Sequence, residues 1–307
     1  MKKVFTILAL AGVALTASAQ KGNISKAENA LILQKVDDAK TLIDEAVVNE
    51  KSKDLPKTFI VAANVYAKLA EKKVDSEAFA KVSEYMAKAE ELDAKGDAKG
   101  KGIGKSQKDI KKMYSALLMT VQNVGAQAYE AKNWNLMRDA FLYAAKCNQN
   151  SKENYTAADD SLLIYNAGLG AWYGEDYKSA AQCFEKNFEM DYEGVKTIGF
   201  AYNAYKNLGD TLNMERIIKK GFEKYPTEKG ILGDLINFYL GAKRNDDALT
   251  YLNEAISKYD KVPDYYYARG CLYEKIDEEK AIADYQKALE LNPEHFNALY
   301  NVAIMYY

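Results

Sequence analysis

The chain has 307 residues, 48% of them hydrophobic and 28% charged, a balance that excludes a largely disordered protein. Its formal net charge of −2 leaves no electrostatic footprint for nucleic acid. Only 4 prolines stand against 24 tyrosines, which disfavours loop-rich and many-turned β folds.

The N-terminus carries Lys2 and Lys3, then an apolar run from Val4 to Leu15. That run is as long as a secretory h-region and too short to span a bilayer. Ala17-Ser18-Ala19 offers the small residues a signal peptidase needs. Residues 1–19 are therefore predicted to be a bacterial signal peptide cleaved near Ala19–Gln20, giving a periplasmic or secreted product. The first cysteine is Cys147, so no lipid-anchor Cys follows the cleavage site, and no later stretch is predicted to cross a membrane.

Further along, Ala39, Ile43 and Ala46 show small/large/small spacing on one helical stripe, and Thr58–Leu69 reads as another helix. Ala94–Ser106 reads as a flexible linker. Within it Gly100-Lys101-Gly102-Ile103-Gly104-Lys105-Ser106 ends like a phosphate-binding loop, but Lys99 stands where that loop needs its first Gly. Helix rather than strand precedes it, which argues against nucleotide binding. The lysines around the linker (Lys95, Lys99, Lys101, Lys105, Lys108, Lys111, Lys112) read as a hydrated helix start, or as a contact for an anionic lipid or polysaccharide.

Beyond the linker the pattern repeats. Gly168 and Gly270 lie 102 residues apart, three periods of 34. The first is followed by Ala180 and Phe184, the second by Ala281, Tyr285, Ala288 and Pro293; Ala248, Leu252 and Ala255 hold the same slots between them. The segment Lys280–Pro293 and this period resemble the tetratricopeptide repeat, strongly over Leu118–Tyr307 and more faintly from Asn23 to Lys112. The resemblance implies an all-α fold: a right-handed superhelical solenoid of antiparallel helix pairs in one cooperative array. The units are Asn23–Glu50, Pro56–Asp93, Gln107–Ser151, Ser161–Gly194, Val195–Glu228, Lys229–Val262 and Pro263–His295. Residues 20–112 form degenerate pairs with the linker 94–106, and 113–307 form the array, ending in a partial repeat from Phe296.

Small residues (Gly125, Gly168, Gly270) should let paired helices approach, with Phe141, Phe184 and Tyr285 filling the space between them. Tyr202 and Ile236 replace the Gly in two first helices, Met137 and Met214 replace an Ala, and Lys152–Asp160 is an insert. The apolar Phe296–Tyr307 has no second helix to cover it; either the chain continues beyond it or the open face self-associates.

No catalytic constellation emerges. Cys147, Cys183 and Cys271 are odd in number and read as packed hydrophobes, or as one bridge and a reactive thiol. His295 is the only histidine, which precludes a multi-His metal site, and no nucleophile-elbow pattern is present. The carboxylate pairs Asp159/Asp160, Asp246/Asp247 and Glu278/Glu279 fall in turns. No enzyme activity, cofactor or metal is expected.

In tetratricopeptide domains the first helices line a concave groove. The resemblance places Gln122, Tyr129, Tyr165, Leu169, Trp172, Tyr173, Lys196, Asn203, Lys206, Asn237, Tyr267, Glu274 and Tyr300 along it. Several of these tyrosines could instead pack between repeats, as Tyr205 and Tyr273 should. A clamp for a terminal carboxylate finds only Asn166 and Lys196 on its slots, with Gln122, Ala126 and Phe200 on the others, and is rejected. The expected function is a non-catalytic periplasmic scaffold binding a protein or peptide. The alternative is a carbohydrate-binding component of an outer-membrane uptake system.

Overall fold

A computed structural model describes residues 22–97 and 99–307; the predicted signal peptide lies outside the described residues. Every regular element among them is helical. The helices fall into two compact units that divide within one helix, at Lys186/Asn187. The sequence boundary at 112/113 instead lies inside the longest helix of the first unit.

The first unit holds α1 (22–32), α2 (Val36–Val48), α3 (Pro56–Lys73), α4 (Ser76–Lys95), α5 (Gln107–Glu130), α6 (Trp134–Ser151), α7 (Ser161–Tyr173) and most of α8 (Tyr177–Glu189). Each predicted repeat contains one helix pair. Pro56 opens α3, where its missing N–H is no loss. Asp75 caps α4, accepting the Glu77 and Ala78 N–H groups at 2.9 and 3.0 Å. The helices pair in order, α3 with α4 and α5 with α6, and α3 also packs on α5. A row of helix pairs stacked on neighbours is the arrangement of a solenoid.

The small residues act as their spacing predicts. A Cβ on Gly125 would stand 2.8 Å from the Phe141 ring, and one on Gly168 3.0 Å from Phe184. The aromatic ring of each second helix therefore occupies the space a side chain on the first would need.

The stretch after α4, which the sequence reads as a flexible linker, forms a hydrogen-bonded turn. Helix α4 runs through Lys95, and Gly96 (φ +67°) then reverses the chain. Asp97 accepts the Lys99 and Lys101 N–H groups, each at 2.9 Å. The buried Asp93 accepts the Ser106 N–H at 2.7 Å, while its backbone carbonyl accepts that of Gly104. Two aspartates thus fold a glycine- and lysine-rich segment into a closed turn. The insert at Lys152–Asp160 is ordered too: Asp160 is buried, accepting the Asn148 amide at 3.0 Å and the Tyr155 hydroxyl at 2.6 Å.

The second unit holds the end of α8, then α9 (Gly194–Leu208), α10 (Thr211–Lys224), α11 (Lys229–Gly241), α12 (Asn245–Lys258), α13 (Pro263–Tyr273), α14 (Glu278–Leu291) and α15 (Phe296–Tyr306). Asp210 and Asp277 cap α10 and α14, and Pro263 opens α13. Where Tyr202 replaces the first-helix Gly, the close approach moves to the partner helix: a Cβ on Gly221 would stand 2.8 Å from Ile198. Gly270 keeps the predicted arrangement, with a would-be Cβ only 2.6 Å from the fully buried Tyr285. Arg269 of α13 grips Asp284 of α14 through two hydrogen bonds of 2.7 and 2.8 Å. The fork geometry and the near-complete burial of Asp284 make this pair stronger than a surface ion pair.

Cys147 and Cys183 are buried and free. Burial pushes their thiols up to about 12 and about 11, so both behave as small hydrophobes. Cys271 is partly exposed, and burial raises its thiol as well.

Candidate functional site

Two neighbouring cavities of the second unit gather the most chemistry. The first, about 280 Å³, lies between α11 and α13. Helical spacing of three and four brings Gly233, Ile236, Asn237 and Leu240 onto one stripe of α11, facing Asp264, Tyr267, Ala268 and Cys271 of α13. Its floor is apolar, with the exposed Asn237 amide at its edge. At one end Lys229 pairs with Asp264 at 3.2 Å. The same Asp264 oxygen lies 3.4 Å from Nε2 of the buried His295. His295 caps α15, its Nδ1 accepting the Ala298 N–H at 3.2 Å, and its ring lies 4.9 Å from that of Tyr267. The histidine is a structural cap in a helix turn.

Cys271 is shared with the second cavity, about 460 Å³, which is completed by Glu274, Glu278, Asn301, Ile304 and Met305. Here the polar groups are interlocked. The Tyr285 hydroxyl donates to Glu274 Oε1 at 2.5 Å, and the Asn301 amide donates to that oxygen and to the hydroxyl, each at 3.0 Å. Burial, reinforced by Cys271 and the Glu274 carboxylate, holds the Tyr285 hydroxyl far above its ordinary range. It stays protonated and keeps donating, which fixes the carboxylate in place.

Of the residues the sequence assigned to a groove in this unit, Asn237 and Tyr267 meet in the first cavity and Glu274 lines the second. Tyr300 is exposed on α15, but its neighbour Asn301 lines the cavity. Lys196, Asn203 and Lys206 are exposed on α9 and line neither cavity. Lys196 pairs with Glu193 at 2.6 Å, and the Asn203 amide donates to the Gly199 carbonyl at 2.9 Å.

In the first unit the assigned residues divide between surface and packing. Tyr129 and Tyr173 are about half exposed and flank Trp134, with ring centroids 5.9 and 5.1 Å away. Trp134 opens α6, a second helix, so a search confined to first helices passes over it. Tyr165 meets Phe184 edge-on at 5.8 Å and Trp172 meets Tyr177 at 5.5 Å, so both spend part of their surface on internal packing. Gln122 and Leu169 are half-buried.

Among the described residues, no group of three or more His, Cys, Asp or Glu side chains could hold a metal ion, and no helix is long and apolar enough to cross a membrane.

No protein-family model matches the chain. Over 144 residues it is 30% identical to a UDP-N-acetylglucosamine–peptide N-acetylglucosaminyltransferase of Giardia intestinalis, covering 46% of this chain and 9% of that protein. It is 27% identical over 183 residues to a TPR repeat-containing protein of Methanocaldococcus jannaschii, covering 59% of this chain and 26% of that one. The chain thus spans about a quarter or less of the length of these relatives. Among solved structures it is similar to a TPR repeats protein from Bacteroides fragilis, at 17% identity and a TM-score of 0.44, covering 62% of this chain and 97% of the other. It is also similar to YrrB, described as a TPR protein with an unusual peptide-binding site, at 17% identity and a TM-score of 0.38, covering 64% and 97%.

Proposed function

We propose that this chain is a non-catalytic scaffold that holds a protein or peptide partner against its first helices. It would act in the periplasm, or beyond it, after cleavage near Ala19–Gln20. The observation that carries the reading is the apolar cavity between α11 and α13 with the Asn237 amide at its rim. Such a cavity takes an apolar side chain, while a carboxamide both donates to and accepts from a partner's backbone. The 34-residue period, the helix pairs and the sequence similarity to a TPR repeat-containing protein support a repeat array of this type. The similarity to the glycosyltransferase involves 9% of that enzyme, and we read it as a shared repeat pattern. The exposed Phe296, Leu299 and Ile304 of α15 are the surface on which self-association would be sought.

Site-specific photo-crosslinking tests the reading. A photoreactive residue at position 237 should capture a discrete partner from an envelope extract. The same residue at position 212, on the exposed surface of second helix α10, should not. Equal capture at both positions would remove the basis for a first-helix binding face. Mass measurement of the exported chain checks the predicted start at Gln20.

A further inference from the structure

The second cavity differs from the first in charge, and that difference names part of the partner. Glu274 follows directly on the last residue of α13, and Glu278 is the first residue of α14. The C-terminus of a helix carries partial negative charge on its free carbonyls, which a basic residue in the last turn normally offsets. Helix α13 has none there; it ends instead on a carboxylate. Among the described residues, no ion pair reaches Glu274 or Glu278: the nearby Lys280 is committed to Asp277 at 2.8 Å, and the exposed Lys275, next to Glu274 in sequence, pairs with neither.

The Glu274 carboxylate is also held in advance. Oε1 accepts from both Tyr285 and Asn301, and a carboxylate with two oxygens retains further acceptor positions. A group fixed before binding loses little freedom when it binds. Ile304 and Met305 form the apolar wall beside it, the surface that the methylene stem of a long cation covers.

We propose that this cavity receives a lysine or arginine side chain of the partner segment whose apolar residue fills the cavity between α11 and α13. The proposal rests on the peptide-binding reading given above and adds the partner's chemistry to it. The two cavities lie on either side of α13, about one interhelix spacing (~9 Å) apart. An extended chain covers that distance in about three residues, so the recognised pattern is an apolar residue with a basic one two to four positions away.

A random peptide library displayed on phage is panned against the full mature chain and against Glu274→Gln/Glu278→Gln. Both glutamates are exposed, and unchanged circular dichroism verifies that the variant folds. The wild type should enrich the apolar–basic pattern; the variant should keep the apolar preference and lose the basic one. A synthetic wild-type-selected peptide should bind the variant about tenfold more weakly, and raised ionic strength should erase the difference. Asn301→Ala, which removes one of the two hydrogen bonds that hold Glu274 and leaves its charge, should give a partial loss. Peptides enriched without a basic residue, or a basic preference that survives in the variant, overturn the proposal and leave the groove reading standing. No enrichment on either protein overturns both. A wild-type dimer in sedimentation that the double variant dissolves would give the cavity to a second copy and overturn the peptide assignment.

Discussion

Single side chains set the sensitivity of the second unit to acid. Glu215 of α10 receives Arg244 at 2.7 and 3.3 Å and Lys219 at 2.7 Å. Arg244 in the first place, with Lys219, holds its carboxyl down from 4.5 to about 2. The folded value lies below the unfolded one, so the stabilisation is complete above about pH 4.5 and is lost as pH falls towards 2. Glu215→Gln should flatten the fall of the urea midpoint across that window while changing little at neutral pH beyond the loss of the pair. A midpoint that falls as steeply in the variant as in the wild type would place the acid sensitivity elsewhere. Neither Arg244 nor Glu215 stands out in the sequence, because they lie 29 residues apart and only the stacking of helices joins them.

At the scale of helices and turns, the closed turn after α4 depends on Asp93. Its buried carboxylate satisfies the Ser106 N–H at the start of α5, and losing a buried partner of this kind costs about 1–3 kcal/mol. Asp93→Ala should therefore expose the segment around Lys99, Lys101 and Lys105 to trypsin, read as faster cleavage there under native conditions. Unchanged cleavage would mean that the backbone bonds alone close the turn. The sequence reads as flexible here because glycine and lysine composition carries no record of a buried aspartate in the last turn of the preceding helix. The helices themselves were legible: each predicted repeat contains a pair, since the positions of Gly125, Gly168 and Gly270 record where two backbones must approach. Where Tyr202 broke the pattern the register survived, because the small residue moved to Gly221 on the opposite helix.

Across the whole molecule, the candidate site was half legible, and the period itself held the missing half. Asn237 is one of the groove residues the sequence points to; one period on stands Cys271, and 33 residues further Ile304. All three line the cavities, yet an apolar residue or a lone thiol at a groove slot looks like core until the helices are placed. The interlock of Glu274, Tyr285 and Asn301 brings together three elements and was beyond any spacing rule. The repeat pattern predicts one cooperative array, and the described residues fall into two compact units divided within α8. Ala281→Arg separates these cases. Ala281 is fully buried, and its carbonyl lies 3.2 Å from where a Cβ on Gly270 would stand, so the long charged side chain has no room there and would be cut off from water. Hydrogen exchange should become fast throughout α11–α15 while α1–α6 keep their protection, because nearest-neighbour coupling weakens with each intervening pair. If protection collapses equally in α1–α6, the chain unfolds as one array and the division within α8 has no thermodynamic meaning.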